Sequence, residues 1–216
     1  MKAKIGVVGS GVVGKALAAG LARKQFPVAI ASRSAATRTA LAEELGSGVQ
    51  VTEPVPAALE SDVVVFAVKG TRAEEAVRSL GAQALADKTV LDTTNPIADA
   101  APVNGVLQFF TGPNDSLMER LQRLAPQAHF VKCFSCVGHA HMVDPEFSQG
   151  VPTMFICGNH SDAKQKTVAL LGELGWEAAD MGAVEAARAI EPLCQLWCIP
   201  GFREGTWNHA FKLLRR

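Results

Sequence analysis

Ile5-Gly6-Val7-Val8 runs directly into Gly9-Ser10-Gly11-Val12-Val13-Gly14, and this apolar run followed by G-x-G-x-x-G restricts the fold more than any other stretch of the chain. Glycine spacing alone recurs by chance; a strand before it and a helix after it make it a dinucleotide turn. Continuous hydrophobicity over Ile5 to Val8 suits a parallel strand buried on both faces. From Val12 to Lys24, Val13, Leu17 and Leu21 recur every fourth residue, the spacing of a helix. Gly9 then permits the tight turn, Gly11 lets the backbone approach a pyrophosphate, and Gly14 lets the helix pack closely on the strand. The N–H groups and positive dipole end of the helix, at Val12 and Val13, face the phosphates.

A second strand, Val28 to Ala31, ends at Ser32-Arg33, about 20 residues past the glycines, where an acid would accept from the ribose 2′-hydroxyl of NAD. A hydroxyl and a guanidinium suit a 2′-phosphate instead, because arginine offers a planar fork to phosphate oxygens. The expected cofactor is therefore NADP(H), with Arg38 of the following helix as a second cation.

The alternation continues. Short strands are expected at Val49 to Val51, Asp62 to Val68 and Thr89 to Asp92, with a helical turn at Pro54 to Leu59 and a helix over 71–86. In an open parallel sheet, ligands lie outside the carboxyl ends of the strands. Val68-Lys69 and Thr94-Asn95-Pro96 leave two of those ends and are expected to line the nicotinamide side. Leu117, Leu121 and Leu124 mark a helix, and 130–137 a sixth strand. Gly138-His139-Ala140-His141 then leaves on the same edge, so His139, His141 or Lys69 could supply a proton if the reaction needs one. Further on, 153–157 and 176–181 read as strands with a helix between them. From Ala183 to Trp197 the spacing is helical, with Pro192 bending or interrupting it. Phe202, Trp207, Phe211 and Leu214 continue an apolar stripe, the mark of core or subunit contact, and a homo-oligomer would use it. The reading is an α/β chain: a doubly wound Rossmann parallel sheet over 1–137, and a compact α/β extension over 138–216 that ends in helix and packs on the core.

Composition narrows the partners. Twenty-one basic and twenty-one acidic residues cancel without a like-charge block, so nothing favours nucleic acid. No apolar run approaches a membrane span and no leader pattern precedes the first strand, which points to a cytoplasmic protein with a small-molecule partner. Five cysteines, an odd number, do not form a secreted disulfide framework. Cys133-x-x-Cys136 with His139 and His141 raises a metal site, as do Cys194 and Cys198 one helical turn apart. No second C-x-x-C or H-x₃₋₅-H completes a zinc pattern, so inert buried thiols are expected and no metal.

Taken together, Gly9-Ser10-Gly11, Ser32-Arg33, Asp92-Thr93-Thr94-Asn95-Pro96, Val131-Lys132-Cys133-Phe134-Ser135, Phe155-Ile156-Cys157-Gly158 and Ala210-Phe211-Lys212-Leu213-Leu214 resemble the NADPH-dependent reductases typified by the deazaflavin (coenzyme F-420):NADP oxidoreductases. Related NADPH-binding domains occur in membrane-bound metalloreductases. The resemblance implies that Ser10, Ser32 and Arg33 hold the adenosine 2′-phosphate. It also implies hydride transfer between nicotinamide C4 and a ring carbon of a deazaflavin or flavin-like electron acceptor, with no obligatory general acid. Two positions depart from the pattern: Thr37 replaces a lysine, and Lys69-Gly70 replaces a proline and an aromatic. The alternatives are reduction of a small carbonyl or imine, with His139 as a cleft residue, and an NADPH-binding sensor without catalysis.

Overall fold

The computed structural model describes residues 2–215. In chain order the elements are β1 (Ile5–Val8), α1 (Val12–Arg23), β2 (Val28–Ala31), α2 (Ala35–Leu45), β3 (Gln50–Thr52), α3 (Pro54–Leu59), β4 (Val63–Phe66), α4 (Gly70–Leu80), α5 (Ala82–Leu85), β5 (Thr89–Asp92), α6 (Leu117–Leu124), β6 (His129–Lys132), β7 (Thr153–Ile156), α7 (Ser161–Glu173), β8 (Glu177–Asp180), α8 (Ala187–Ile190) and α9 (Leu193–Glu204). Six parallel strands form one sheet in the order β3-β2-β1-β4-β5-β6. That is the Rossmann order, in which the direction of winding reverses between β1 and β4. β7 and β8 form a parallel pair of their own, joined to the large sheet by an antiparallel bridge from Lys132 to Cys157.

Side-chain alternation along these short strands feeds two cores. Ile5, Val7, Ile30, Val63, Val65, Leu91 and Val131 meet Leu17 and Leu21 of α1 and Leu170 and Leu171 of α7 on one face. On the other, Val8, Val64, Phe66, Val90 and Phe130 meet Ala73 and Val77 of α4, Leu85 of α5 and Leu117 and Leu121 of α6. Since both faces are covered, every residue of β1, β2, β4 and β5 is buried, which is why these strands read as continuous apolar runs. Among the described residues no helix is long and apolar enough to cross a membrane.

Three expectations are corrected, and a fourth holds. The helix expected over 71–86 is two helices, α4 and α5, because Gly81 at φ +79° ends the first. The sixth strand stops at Lys132: beyond Asp92 its neighbour β5 is finished, so 133–136 turns away, with Phe134 at φ +57° and its N–H donated to the Met154 sulfur. The helical stretch from Val184 to Trp197 is interrupted at Pro192, as expected: a 3-10 turn and α8 precede it, and Pro192 stands immediately ahead of α9, where its missing N–H costs no bond. The apolar stripe after Phe202 is not helical. Gly205, left-handed at φ +72°, ends α9, and the tail doubles back to lay Trp207 on Gly201 and beside Trp197 and Phe202. Its carbonyl at Phe211 then accepts from Thr153 N at 2.8 Å, tying the tail to the start of β7.

One pair of side chains makes this packing sensitive to acid. His129, at the start of β6, stacks on His160, ring centroids 3.7 Å apart. His160 caps α7, its Nδ1 accepting from Ala163 N at 3.4 Å. Burial, then the neighbouring His160, holds the His129 imidazole below its usual value. The unfolded chain takes up a proton at His129 more readily, so the stability that His129 contributes is complete above about pH 6.5 and declines as pH falls from there towards the lower folded value. The denaturant midpoint should therefore drop between pH 7.5 and pH 5, and by less in His129→Gln; the same drop in both proteins would remove the pair from this role.

Candidate active site

Sheet order places the loops after β1, β2, β3 and β4 around one cavity of about 640 Å³. Gly9, Ser10 and Gly11 form its floor, Ser32, Arg33 and Ser34 one wall, Pro54 and Val55 a second, and Val68, Lys69, Arg72, Glu75, Ala76 and Ser79 the third. The floor is shaped by the absence of side chains. Gly9 sits at φ +126°, where a Cβ would overlap the Ala67 carbonyl, and a Cβ on Gly14 would overlap the Gly9 carbonyl. At Gly11 no atom lies within 4 Å of where a Cβ would be, so the backbone there is open to the cavity. No side chain caps α1 at Gly11 and its first turn carries no acid, which leaves N–H groups and a positive helix end free for an anion. These features fit a pyrophosphate.

The sequence-expected residues divide. Gly9, Ser10, Gly11, Ser32, Arg33, Val68 and Lys69 line the cavity. Val12, Val13 and Gly14 lie just behind it in the first turn of α1, Gly14 buried beneath the turn. Arg38 is turned elsewhere: it donates to the Ser32 and Arg33 carbonyls, 2.9 Å each, and pairs with Glu53 at 3.2 Å. These contacts tie Arg38 to the loop that presents Arg33. Asn95 and Pro96 lie outside the cavity lining; Asn95 Nδ2 donates to the Ser135 carbonyl at 3.0 Å. His139 is exposed on a 3-10 turn, and neighbouring His141 meets Asn208 Oδ1 at 3.1 Å. Neither histidine lines the cavity. Lys69 pairs with Asp99. The hydrogen bond from Lys69 is the largest cause holding the Asp99 carboxyl below its usual value. Gly70 after it has a steric reason, since a Cβ there would overlap the Asn95 carbonyl.

Ser34, Pro54, Val55, Arg72, Glu75, Ala76 and Ser79 were not foreseen. Pro54-Val55 follows β3, so the rule that ligands collect at strand carboxyl ends could have found them. Arg72 and Glu75 belong to α4, and nothing local marks them.

Behind the loops that follow β5 and β6 lies a buried charge cluster. Lys132 is fully buried, with Nζ 2.6 Å from Asp92, 2.8 Å from Glu191 and 2.8 Å from the Thr94 carbonyl. Asp92 also accepts from Thr94 N at 2.9 Å and its hydroxyl at 2.7 Å. Glu191 accepts from Leu117 N and Met118 N at 3.0 Å each, the first turn of α6. Burial by itself would lower the Lys132 ammonium, but Asp92 and then Glu191 outweigh it and hold it above its usual value. The thiols nearby are inert by the same logic: burial pushes Cys136 and Cys157 up to about 12.

Comparison with known proteins fits this geometry. Residues 4–96 match the family described as NADP oxidoreductase, coenzyme F420-dependent. These residues run from β1 through β5 and include the glycine turn, Ser32 and Arg33. A putative F420-dependent NADP-reductase from Arthrobacter sp. FB24 superposes with a TM-score of 0.91 at 29% identity, covering 99% of this chain and 100% of that one. The metalloreductase STEAP3 of Rattus norvegicus is 29% identical over 201 residues, 91% of this chain and 38% of the relative's length. A reductive aminase from Aspergillus terreus, solved with NADPH, shares the fold alone, at 19% identity and a TM-score of 0.67 over 95% of this chain and 64% of that one.

Removing the buried cation provides a test of the frame behind the site. Lys132→Met, which keeps most of the volume but leaves Asp92 and Glu191 buried without their counter-ion, should cost about 3–5 kcal/mol in equilibrium denaturation. A loss under about 1 kcal/mol, the size of an exposed pair, would contradict that role.

Proposed function

We propose that this chain is an oxidoreductase that binds NADP(H) along the cavity between β1 and β4 and exchanges a hydride with a deazaflavin or flavin-like ring. The observation that carries the reading is the cavity itself: an open glycine turn at an uncapped helix start, and Ser32 and Arg33 on the wall where an NAD site would carry an acid. The family match over residues 4–96 supports the same cofactor.

In this reading Gly9, Gly11 and the first N–H groups of α1 at Val12 and Val13 hold the pyrophosphate, while Gly14 keeps the helix seated. Ser10, Ser32 and Arg33 hold the adenosine 2′-phosphate, with Arg38 bracing their loop. Val68, Lys69, Asn95 and Pro96 flank the nicotinamide end. When bound, the cofactor supplies or takes up a hydride at nicotinamide C4. Positioning and exclusion of water are the work left to this chain, and ring-to-ring transfer needs no protein acid. The exposed position of His139 accords with that.

Arg33→Ala should weaken NADPH by about ten- to a hundredfold, the 1.5–3 kcal/mol of a charged bidentate contact, and leave NADH nearly unchanged in calorimetry. Equal losses for both would refute the phosphate assignment. For the acceptor, NADPH oxidation with a deazaflavin, FMN and a panel of carbonyls and imines is expected to favour the ring acceptors and to survive His139→Ala. Turnover confined to carbonyls or imines, and lost in His139→Ala, would replace this reading with the proton-dependent one.

A further inference from the structure

We propose that Arg72 is a second guanidinium for the cofactor's 2′-phosphate and that Glu75 is the internal anion this phosphate displaces. The inference rests on the reading that NADPH occupies the cavity. Arg33 reaches the cavity from the loop after β2, while Arg72 and Glu75 reach it from the first two turns of α4 on the opposite side. Glu75 bridges them: one carboxylate oxygen is 3.5 Å from Arg33 Nη1 and the other 3.3 Å from Arg72 Nη1. Among the residues lining the cavity, Glu75 is the sole carboxylate.

The other charges around the cavity are engaged elsewhere. Lys69 is paired with Asp99, Arg38 with Glu53, and Arg78 with Glu74. Two guanidinium groups and one carboxylate therefore face one another with a net charge of +1, and the side chains of Arg33 and Arg72 are 72% and 71% exposed. Ion pairs in that much water are weak and easily exchanged. A phosphate dianion brings more charge and more acceptor oxygens than a carboxylate, and forms stronger hydrogen bonds to each guanidinium. It would leave the group of two arginines and phosphate neutral once Glu75 swings out. Without a 2′-phosphate nothing displaces Glu75, so the bridge opposes NADPH alone and leaves NADH binding untouched.

The test is calorimetric titration of the full chain with NADPH, NADH, 2′,5′-ADP and 5′-AMP. Arg72→Ala should weaken NADPH and 2′,5′-ADP by about tenfold and move NADH and 5′-AMP by less than about twofold. Glu75→Gln, which keeps shape but removes the competing charge, should tighten NADPH and 2′,5′-ADP several-fold while leaving NADH and 5′-AMP level. That gain should vanish in the Arg72→Ala background. Selectivity lost in Arg33→Ala but retained in Arg72→Ala, or a Glu75→Gln protein with an unchanged NADPH-to-NADH ratio, would overturn the inference while leaving the cofactor site standing. Wild-type protein that fails to bind NADPH or 2′,5′-ADP would overturn both.

Discussion

One buried ammonium holds the far half of the molecule in place. Lys132 ends β6, and its three contacts reach the end of β5 at Asp92, the loop after it at Thr94, and Glu191 between α8 and α9. Glu191 in turn receives the first N–H groups of α6, so its charge faces an ammonium on one side and a positive helix end on the other. Ser116 and Glu119 close the same helix start in a reciprocal cap, Glu119 N donating to Ser116 Oγ and the hydroxyl donating to the Glu119 carboxylate. Arg188 of α8 then grips that carboxylate through two nitrogens, at 2.6 and 3.0 Å. A cluster of this kind is costly to desolvate and tolerable only when each member is matched. It therefore admits few alternative arrangements of the loops it joins.

That rigidity matters because those loops form one side of the proposed nicotinamide end, whereas the other end of the cofactor cavity is built differently. Around Gly9 to Gly11 the backbone is shaped by tight contacts between β1, α1 and the end of β4. Around Arg33, Arg72 and Glu75 the groups are exposed and joined only by exchangeable ion pairs. A stiff reaction end and an adjustable phosphate end suit a transfer that depends on position, since small displacements at the reacting atoms cost more than movement at a charged handle.

Much of the Rossmann half was legible because its signals are local. Val63 to Phe66 is an apolar run with no polar break, and Gly9 to Gly14 joins β1 directly to α1. Beyond Lys132 the signals failed for a physical reason. Cys133 to Val137 reads as a strand by composition, yet past the bond from Cys133 N to the Asp92 carbonyl β5 offers it no further partner, and hydrogen-bond partners are a property of the sheet rather than of the segment. Trp207 and Phe211 likewise read as a helical stripe, while the left-handed turn at Gly205 sends them back over α9 and beside β7.

The sequence by itself determined the alternation of strands and helices, the glycine turn, and a cation in place of an acid after the second strand. Each of these depends on residues within a few turns of one another. Tertiary structure decided which charges meet. The order β3-β2-β1-β4 brings Arg33 of one loop against Glu75 and Arg72 of α4 and Arg38 against Glu53, and the pairing of β5 with β6 seats Lys132 between Asp92 and Glu191. Electrostatic energy depends on separation and burial in space, and neither is written in the spacing of residues along the chain.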